Sequence, residues 1–330
     1  MDASAAVTMS PNPVTTAPTL VNVQSGDATG TLTASPNARV DIVVSGSCSG
    51  GGQGTFAVSP NNNVNLNSDE VITVSYTPSA SGPRTCRVDV FDDNTTTVLG
   101  TFSVSGTGED PAAMAVSYTT ADFGSTRHNN AAAVHTTTRN FTVTNTGDQT
   151  LTVSSVTVGG DFAVTAGGTS NIMIAGGAAR VFTVTFDPSA AGTRTSTLTF
   201  NSTAPSTPTL AIPITGVGTN AVIGVTAPMG GFGTVNTGSS ALLDITVRNT
   251  AMTNIGPLGV QSATISDPNS SGWFAFTGSC SGQNCTFSPA LSITTMTTVG
   301  IRCSPPTMAL ANEMQTATIS FNSDTDNATA

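Results

Sequence analysis

Three groups of residues in this chain have types and spacings that could do chemistry. The first is the phrase Gly-Ser-Cys-Ser-Gly, which occurs at 46–50 and again at 278–282 and sets a cysteine where a nucleophile elbow sets its attacking residue. An elbow needs a strand-to-helix turn and a histidine base. The two histidines, His128 and His135, lie far from both phrases in the sequence, so each phrase reads as a disulfide-bearing loop. The second group is Asp122-Phe123-Gly124, which spells the magnesium motif of protein kinases. That chemistry also needs a strand lysine, and all nine basic residues here are arginines, so Phe123 reads as a core plug beside a glycine bend. The third is Asn322-Ser323-Asp324-Thr325-Asp326-Asn327, whose alternating side-chain oxygens resemble the start of a calcium loop, with Asn322, Asp324 and Asp326 as candidate donors. It lacks the loop glycine and the distal bidentate glutamate, which favours an ordinary Asx turn. His128 and His135 make at most half a metal site. No catalytic or cofactor-binding residue is expected.

The five cysteines divide as Cys48 and Cys86 near the start and Cys280, Cys285 and Cys303 near the end. Cys48 follows the alternating run Ile42, Val44, and Cys86 shares the inward phase of Val88 and Val90, so these two are expected to pair. By analogy with the repeated Gly-Ser-Cys-Ser-Gly loop, Cys280 is expected to pair with Cys303; Cys285 with Cys303 and Cys280 with Cys285 stay open. Such placement suits disulfides within domains in an oxidising compartment, and the odd count leaves at least one thiol over.

The elements that must position these residues are strands. Phe182 to Phe200 restates Ile72 to Val90 about 110 residues downstream, the size of one sandwich domain. Each copy has apolar residues at alternate positions, a Pro-Ser-Ala-Ser/Ala-Gly corner and a second alternating run. This period-2 pattern predicts that Ile72, Val74, Tyr76, Phe182, Val184 and Phe186 face cores while the intervening threonines face out. No stretch sustains a capped 3.6-residue apolar period, so the expected fold is all-β: three tandem immunoglobulin-like sandwiches in an elongated array. Expected boundaries are 1–108, 109–218 and 219–330, with Glu109-Asp110-Pro111 a short, stiffened link.

Composition narrows the function classes. Only 8% of residues are charged and the net charge is −10, so a basic patch for nucleic acid or an anionic membrane is missing, and no apolar run is long enough to insert into a bilayer. Glu70, Glu109 and Glu313 are too scattered to suggest a hydrolase pair. Trp273-Phe274-Ala275-Phe276 reads as core rather than a carbohydrate platform. Sequons occur at Asn94, Asn140, Asn201, Asn269, Asn284 and Asn327.

One combination of features is distinctive: an Asp-Phe-Gly or Gly-Phe-Gly opening, the strand Phe141-Thr-Val-Thr-Asn-Thr-Gly147, the corner Phe186-Asp-Pro-Ser-Ala-Ala-Gly-Thr-Arg-Thr195 and the closing run Ile214-Thr-Gly-Val-Gly218. It resembles the hydin-type (ASH) immunoglobulin-like domains and their bacterial choice-of-anchor D relatives. Residues 111–218 match best, the third unit has Ser-Pro-Pro in place of the corner, and the first lacks the Phe-Gly opening. The resemblance implies a sandwich of about seven strands used as a spacer or interaction module in large surface, secreted or ciliary proteins, with no catalytic residues to carry over. The expected function is a structural, non-enzymatic extracellular or cell-surface protein: a stalk, adhesin or fibre segment. The alternatives are a glycan- or protein-binding accessory module of a secreted enzyme, or a virion or tail decoration protein.

A last expectation concerns the third unit. Ala317 to Phe321 repeats the strand Thr197 to Phe200, but no counterpart of the next strand, Leu210 to Gly218, follows it. The third sandwich is therefore expected to lack its final strand. Either the chain is part of a longer repeat protein, or protein partners or self-association fill the open edge by β-augmentation.

Overall fold

The computed structural model describes residues 5–93, 95–128, 135–269, 272–310 and 312–325. Asn94, Asp326 and Asn327, which carry sequons or the calcium-loop reading, lie outside the described residues. The described elements are 26 strands in six sheets, which pair around three hydrophobic cores. The fold is all-β, a tandem array of immunoglobulin-like sandwiches.

The first sandwich contains β1 (Ala6–Ser10), β2 (Val14–Thr15), β3 (Thr19–Leu20), β4 (Ala28–Ser35), β5 (Ala38–Ser49), β6 (Gln53–Ser59), β7 (Val64–Leu66), β8 (Glu70–Ala80), β9 (Gly82–Asp92) and β10 (Val98–Glu109). Its sheets run β1-β4-β8-β6 and β2-β10-β9-β5-β7, with β3 also on β10. The second contains β11 (Met114–Tyr118), β12 (Asp122–Arg127), β13 (Thr137–Asn145), β14 (Leu151–Thr157), β15 (Phe162–Ala166), β16 (Ser170–Ile174), β17 (Ala179–Phe186), β18 (Gly192–Ser202) and β19 (Thr209–Thr219). Its sheets run β11-β13-β17-β15 and β12-β19-β18-β14-β16, the immunoglobulin-like order, with the last strand between its neighbour in sequence and a parallel opening strand.

Alternation drives this arrangement. Ile72, Val74, Tyr76, Phe182, Val184 and Phe186 are all fully buried, while Thr183 and Thr185 remain partly exposed. The exception is Ser75, which is buried on the outer side of β8 because Gln24 lies over it and donates to its hydroxyl at 2.8 Å. At the corner that follows each of these strands, Gly82 and Gly192 take φ values of 103° and 112°, a region closed to most side chains.

The closing strand of the second sandwich crosses the core over an aromatic ring, and glycine makes the crossing possible. A Cβ on Gly216 would lie 2.7 Å from the Phe186 ring, and one on Gly106 would lie 2.5 Å from the Tyr76 ring. Gly216→Val is expected to cost about 1–3 kcal/mol through overpacking, read as a lower urea midpoint for the second sandwich.

A buried asparagine ties the strands together at the end that faces the first sandwich. Asn145 is wholly inaccessible; its amide oxygen accepts from Ala113 N at 3.2 Å and Gly147 N at 3.1 Å, and its amide nitrogen donates to Gln149 O at 2.7 Å and Ile174 O at 3.0 Å. Asn145→Ala leaves several buried backbone groups unsatisfied and is expected to cost about 3 kcal/mol, measurable by chemical denaturation. Asn249 repeats the arrangement in the third sandwich, accepting from Val222 N and Ala251 N and donating to Gly256 O.

The third sandwich contains β20 (Ile223–Thr226), β21 (Ala241–Asn249), β22 (Leu258–Ser266), β23 (Phe274–Phe276), β24 (Asn284–Ile293), β25 (Met296–Cys303) and β26 (Thr318–Ser323). One sheet, β20-β21-β25-β23, matches β11-β13-β17-β15 strand for strand, but the other is only β24-β22-β26. Among the described residues no strand takes the places that β19 and β12 hold in the second sandwich.

Candidate functional site

Two features of the third sandwich bring together residues that can do something specific: its joint with the second sandwich, and the outer edge of β26. The joint centres on Arg127, the last residue of β12. Its side chain is only 4% exposed, and it forms an ion pair with the Asp324 carboxylate at 3.0 Å. The guanidinium also donates to the carbonyl oxygens of Pro257, at 3.1 Å, and of Asp324. Gly259 N donates to the same carboxylate at 2.7 Å, and His135 Nε2 stands 3.9 Å from its other oxygen. The backbone joins in through Asn220 N to Asn254 O and Gly256 N to Asn220 O, both at 2.8 Å.

This geometry relocates two sequence-level candidates. Asp324, one of the three expected calcium donors with Asn322 and Asp326, points into the joint, where a guanidinium fills the place of a cation. His135 stands beside the same carboxylate, and His128 N donates to Thr219 O at 2.9 Å at the same joint. Thr203 shows what Asp324 replaces. In the second sandwich Thr152 N donates to the Thr203 hydroxyl at 3.0 Å, as Gly259 N donates to Asp324. Aspartate keeps that bond and adds a charge for Arg127. Sequence reasoning missed Arg127 because its partner lies 197 residues downstream. The joint between the first two sandwiches is lighter: Asp110 N donates to the Asp148 carboxylate at 2.8 Å, and Gln149 Nε2 donates to the Glu109 carboxylate at 3.2 Å.

The outer edge of β26 differs from its counterpart in the second sandwich. There Leu198, Phe200 and the plug Phe123 are at most 1% exposed, because β19 lies beside β18 and β12 lies beside β19. The matching Ile319, Phe321 and Phe232 are each half-buried. Phe232 still finds an aromatic partner, Phe274 at 5.8 Å, as Phe123 finds Phe162 at 5.2 Å. Yet residues 232–237 form no strand, and among the described residues no parallel partner like that of β12 lies beside them. Met308, Leu310 and Met314, in the connection before β26, are 92%, 76% and 85% exposed.

The cysteines pair locally. Cys48 on β5 and Cys86 on β9 face each other across the sheet and are joined by a disulfide. In the third sandwich Cys280 is joined to Cys285, not to Cys303 as the repeated loop had suggested. The reason is positional: by strand register the counterpart of Cys86 is Ala317, whereas Cys303 lies on β25 in the opposite sheet, at the level of Phe186 and Tyr76. Cys303 is a buried free thiol, and burial raises its pKa above the ordinary value of 9.0. A thiol that ionises more readily in the unfolded chain contributes its stability below pH 9.0 and loses it as pH rises through the folded-state pKa. The urea midpoint of the third sandwich is therefore expected to fall in that alkaline window, and to fall less in Cys303→Val.

Two surface grooves carry little chemistry of their own. One is lined by Gly50–Gly54, Thr77, Pro78 and Arg84, the other by Thr120–Asp122, Thr195–Thr197 and Pro213–Thr215; neither joins a nucleophile to a base or pairs two carboxylates. Among the described residues no group of three or more His, Cys, Asp or Glu side chains gathers as a metal site.

Among solved structures, the chain is similar to the Escherichia coli adhesin FdeC, with 13% identity over all of this chain and 94% of that one and a TM-score of 0.36. It is similar also to the human desmocollin-1 ectodomain, with 10% identity over 97% of this chain and 61% of that one and a TM-score of 0.42. A third likeness is to the secreted serine protease VesC from Vibrio cholerae, with 14% identity over 63% of this chain and 50% of that one and a TM-score of 0.26. No curated protein matches the sequence. Residues 112–217 match the model of the HYDIN/CFA65/VesB-like Ig-like domain. With its Phe123 plug, its Asn145 tie and its glycine crossing over Phe186, the second sandwich is a hydin-type immunoglobulin-like domain.

Proposed function

We infer that the chain is a structural, non-enzymatic part of an extracellular or cell-surface protein: a stalk, adhesin or fibre segment made of three units, 1–108, 109–218 and 219–330. The observation that carries this reading is how little chain separates the sandwiches. β10 ends at Glu109 and β11 begins at Met114, while β19 ends at Thr219 and β20 begins at Ile223. The second joint is also closed by the buried Arg127–Asp324 pair. Joints of this kind hold neighbouring domains at a set angle, as a spacer requires. Two disulfides support an oxidising location. A surface solvated by hydroxyls and amides, with 8% charged residues, suits a long-lived extracellular segment. The outer edge of β26 belongs to the same reading as the place where protein partners engage.

Small-angle scattering on the full chain tests the spacer role. One fixed maximum dimension at low and high salt is expected. A broad distribution of lengths, or a length that changes with salt, would contradict it.

A further inference from the structure

We propose that the groove beside Gly50-Gly51-Gly52 in the first sandwich binds a sugar that carries a carboxylate, a ring of the uronic-acid type, with the Arg84 guanidinium selecting the charge. The proposal goes beyond the spacer role and does not depend on it.

The second sandwich shows what this corner arginine takes as a partner. Arg84 on β9 stands opposite Gly106 on β10, as Arg194 on β18 stands opposite Gly216 on β19. Arg194 is paired: its Nε lies 3.1 Å from the Asp161 carboxylate. Strand register finds the counterpart of that acid too. Phe56 pairs with Tyr76 as Phe162 pairs with Phe186, so the residues just before them, Thr55 and Asp161, hold the same place. The first sandwich thus keeps the arginine and replaces its acid by a neutral, exposed threonine. Among the described residues no carboxylate lies within ion-pair distance of Arg84. Its Nη1 donates to Gly52 O at 3.2 Å, while its Nε is shielded from water without an acceptor. A guanidinium so little satisfied favours an incoming carboxylate.

The groove has room for a ring beside that charge. It encloses about 580 Å³, within the range of small-molecule sites, and Arg84 lines it together with Asn22, Thr55, Thr77 and Ser79. Its floor is held in place: the Tyr76 hydroxyl donates to Gln53 O at 2.7 Å, and Gly52 N donates to Pro83 O at 2.9 Å. The three glycines differ in what requires them. A Cβ on Gly50 or Gly52 would lie 2.2 Å from a backbone oxygen of the corner, but one on Gly51 would meet nothing within 4 Å. Gly51 also has no left-handed φ, so packing and backbone geometry leave its position free, and its bare backbone keeps that side of the groove open.

The lining decides between a sugar and the acidic side chain of a peptide. Hydroxyls, an amide and backbone groups surround Arg84, and Pro78 is the one apolar residue among them. The aliphatic stem of an aspartate or glutamate finds little to pack against here, whereas the hydroxyls of a sugar ring find hydrogen-bond partners on several sides.

The test titrates the full chain with methyl glucuronide, with methyl glucoside as the uncharged ring, with acetate as the carboxylate alone, and with a short peptide of glycine and glutamate. Amide chemical shifts at Gly50, Gly51 and Gly52 report binding. Methyl glucuronide is expected to bind about tenfold or more tightly than each of the other three. Three variants locate the site. Arg84→Gln is expected to bring the glucuronide down to the level of the glucoside, Gly51→Leu to block both, and Thr55→Asp to abolish glucuronide binding by giving Arg84 the internal partner that Arg194 has. The urea midpoint of Thr55→Asp is expected not to fall, which separates loss of the site from loss of the fold. Equal binding of glucuronide and glucoside would overturn the role of Arg84. Acetate binding as tightly as the glucuronide would overturn the sugar, and tighter binding of the peptide would assign the groove to a protein and overturn the proposal. A folded Thr55→Asp variant that binds the glucuronide like the natural chain would overturn it as well.

Discussion

Arg127→Ala is expected to cost about 3 kcal/mol or more and to split the unfolding of the second and third sandwiches into separate transitions. The cost arises on the partner. The Asp324 side chain is only 10% exposed, so removing the guanidinium leaves a carboxylate with too little water around it to stay solvated, although its bond from Gly259 N remains. Salt should change the effect little, because buried pairs are screened less than exposed ones. The second sandwich indicates how to repair the damage: at the equivalent place Thr203 accepts the same backbone bond without a charge. The double variant Arg127→Met with Asp324→Thr is therefore expected to recover most of the lost stability, since neutral groups of similar size replace both ions. Recovery no better than in Arg127→Ala alone would mean that the pair is not what couples the two domains. Urea titration followed by far-ultraviolet dichroism measures both variants.

Phe200→Ala is expected to cost about 3–5 kcal/mol, and Phe321→Ala under about 1.5 kcal/mol, although the two phenylalanines hold the same place on matching strands. Phe200 is wholly inaccessible and meets Phe182 edge-on at 5.3 Å between ring centroids, so its loss leaves a closed cavity. Phe321 is half-buried at the outer edge of β26, where part of its contact is already with water. The paired comparison reads how completely each ring is covered. Equal costs would mean that something shields Phe321 as completely as β19 shields Phe200.

Strand-level features were legible in the sequence because they are local. Alternation identified the inward residues of β8 and β17, and the repeated corner located the two glycines that turn the chain into β9 and β18. The expectation that the third sandwich lacks a closing strand rests on a related signal: the first two closing strands carry a recognisable apolar-x-apolar-x-Gly phrase, and none follows Phe321 in the sequence. What escaped were interactions whose partners are distant or whose roles look generic. Asn145 sits in a phrase that any turn could use, and only the fold shows that its amide serves four backbone groups. Arg127 is one arginine among nine, and its meaning depends on Asp324, a residue that an oxygen-rich run had suggested for calcium. The cysteine pairing failed differently. Two identical five-residue phrases suggested two identical bridges, but Cys48 lies within a strand beside Cys86, while Cys280 lies in a loop whose nearest thiol is Cys285.

The measurement that bears most directly on the proposal that protein partners engage the outer edge of β26 is residue-resolved amide hydrogen exchange on the full chain. In a strand paired on one side only, alternate amides lack a partner. Along Thr318–Ser323 every second amide is expected to exchange roughly a hundredfold or more faster than its neighbours, while Thr199, Phe200 and Asn201 in the second sandwich, paired with β14 on one side and β19 on the other, are all protected. Uniform protection of Thr318–Ser323, matching that of Thr199, Phe200 and Asn201, would contradict the proposal.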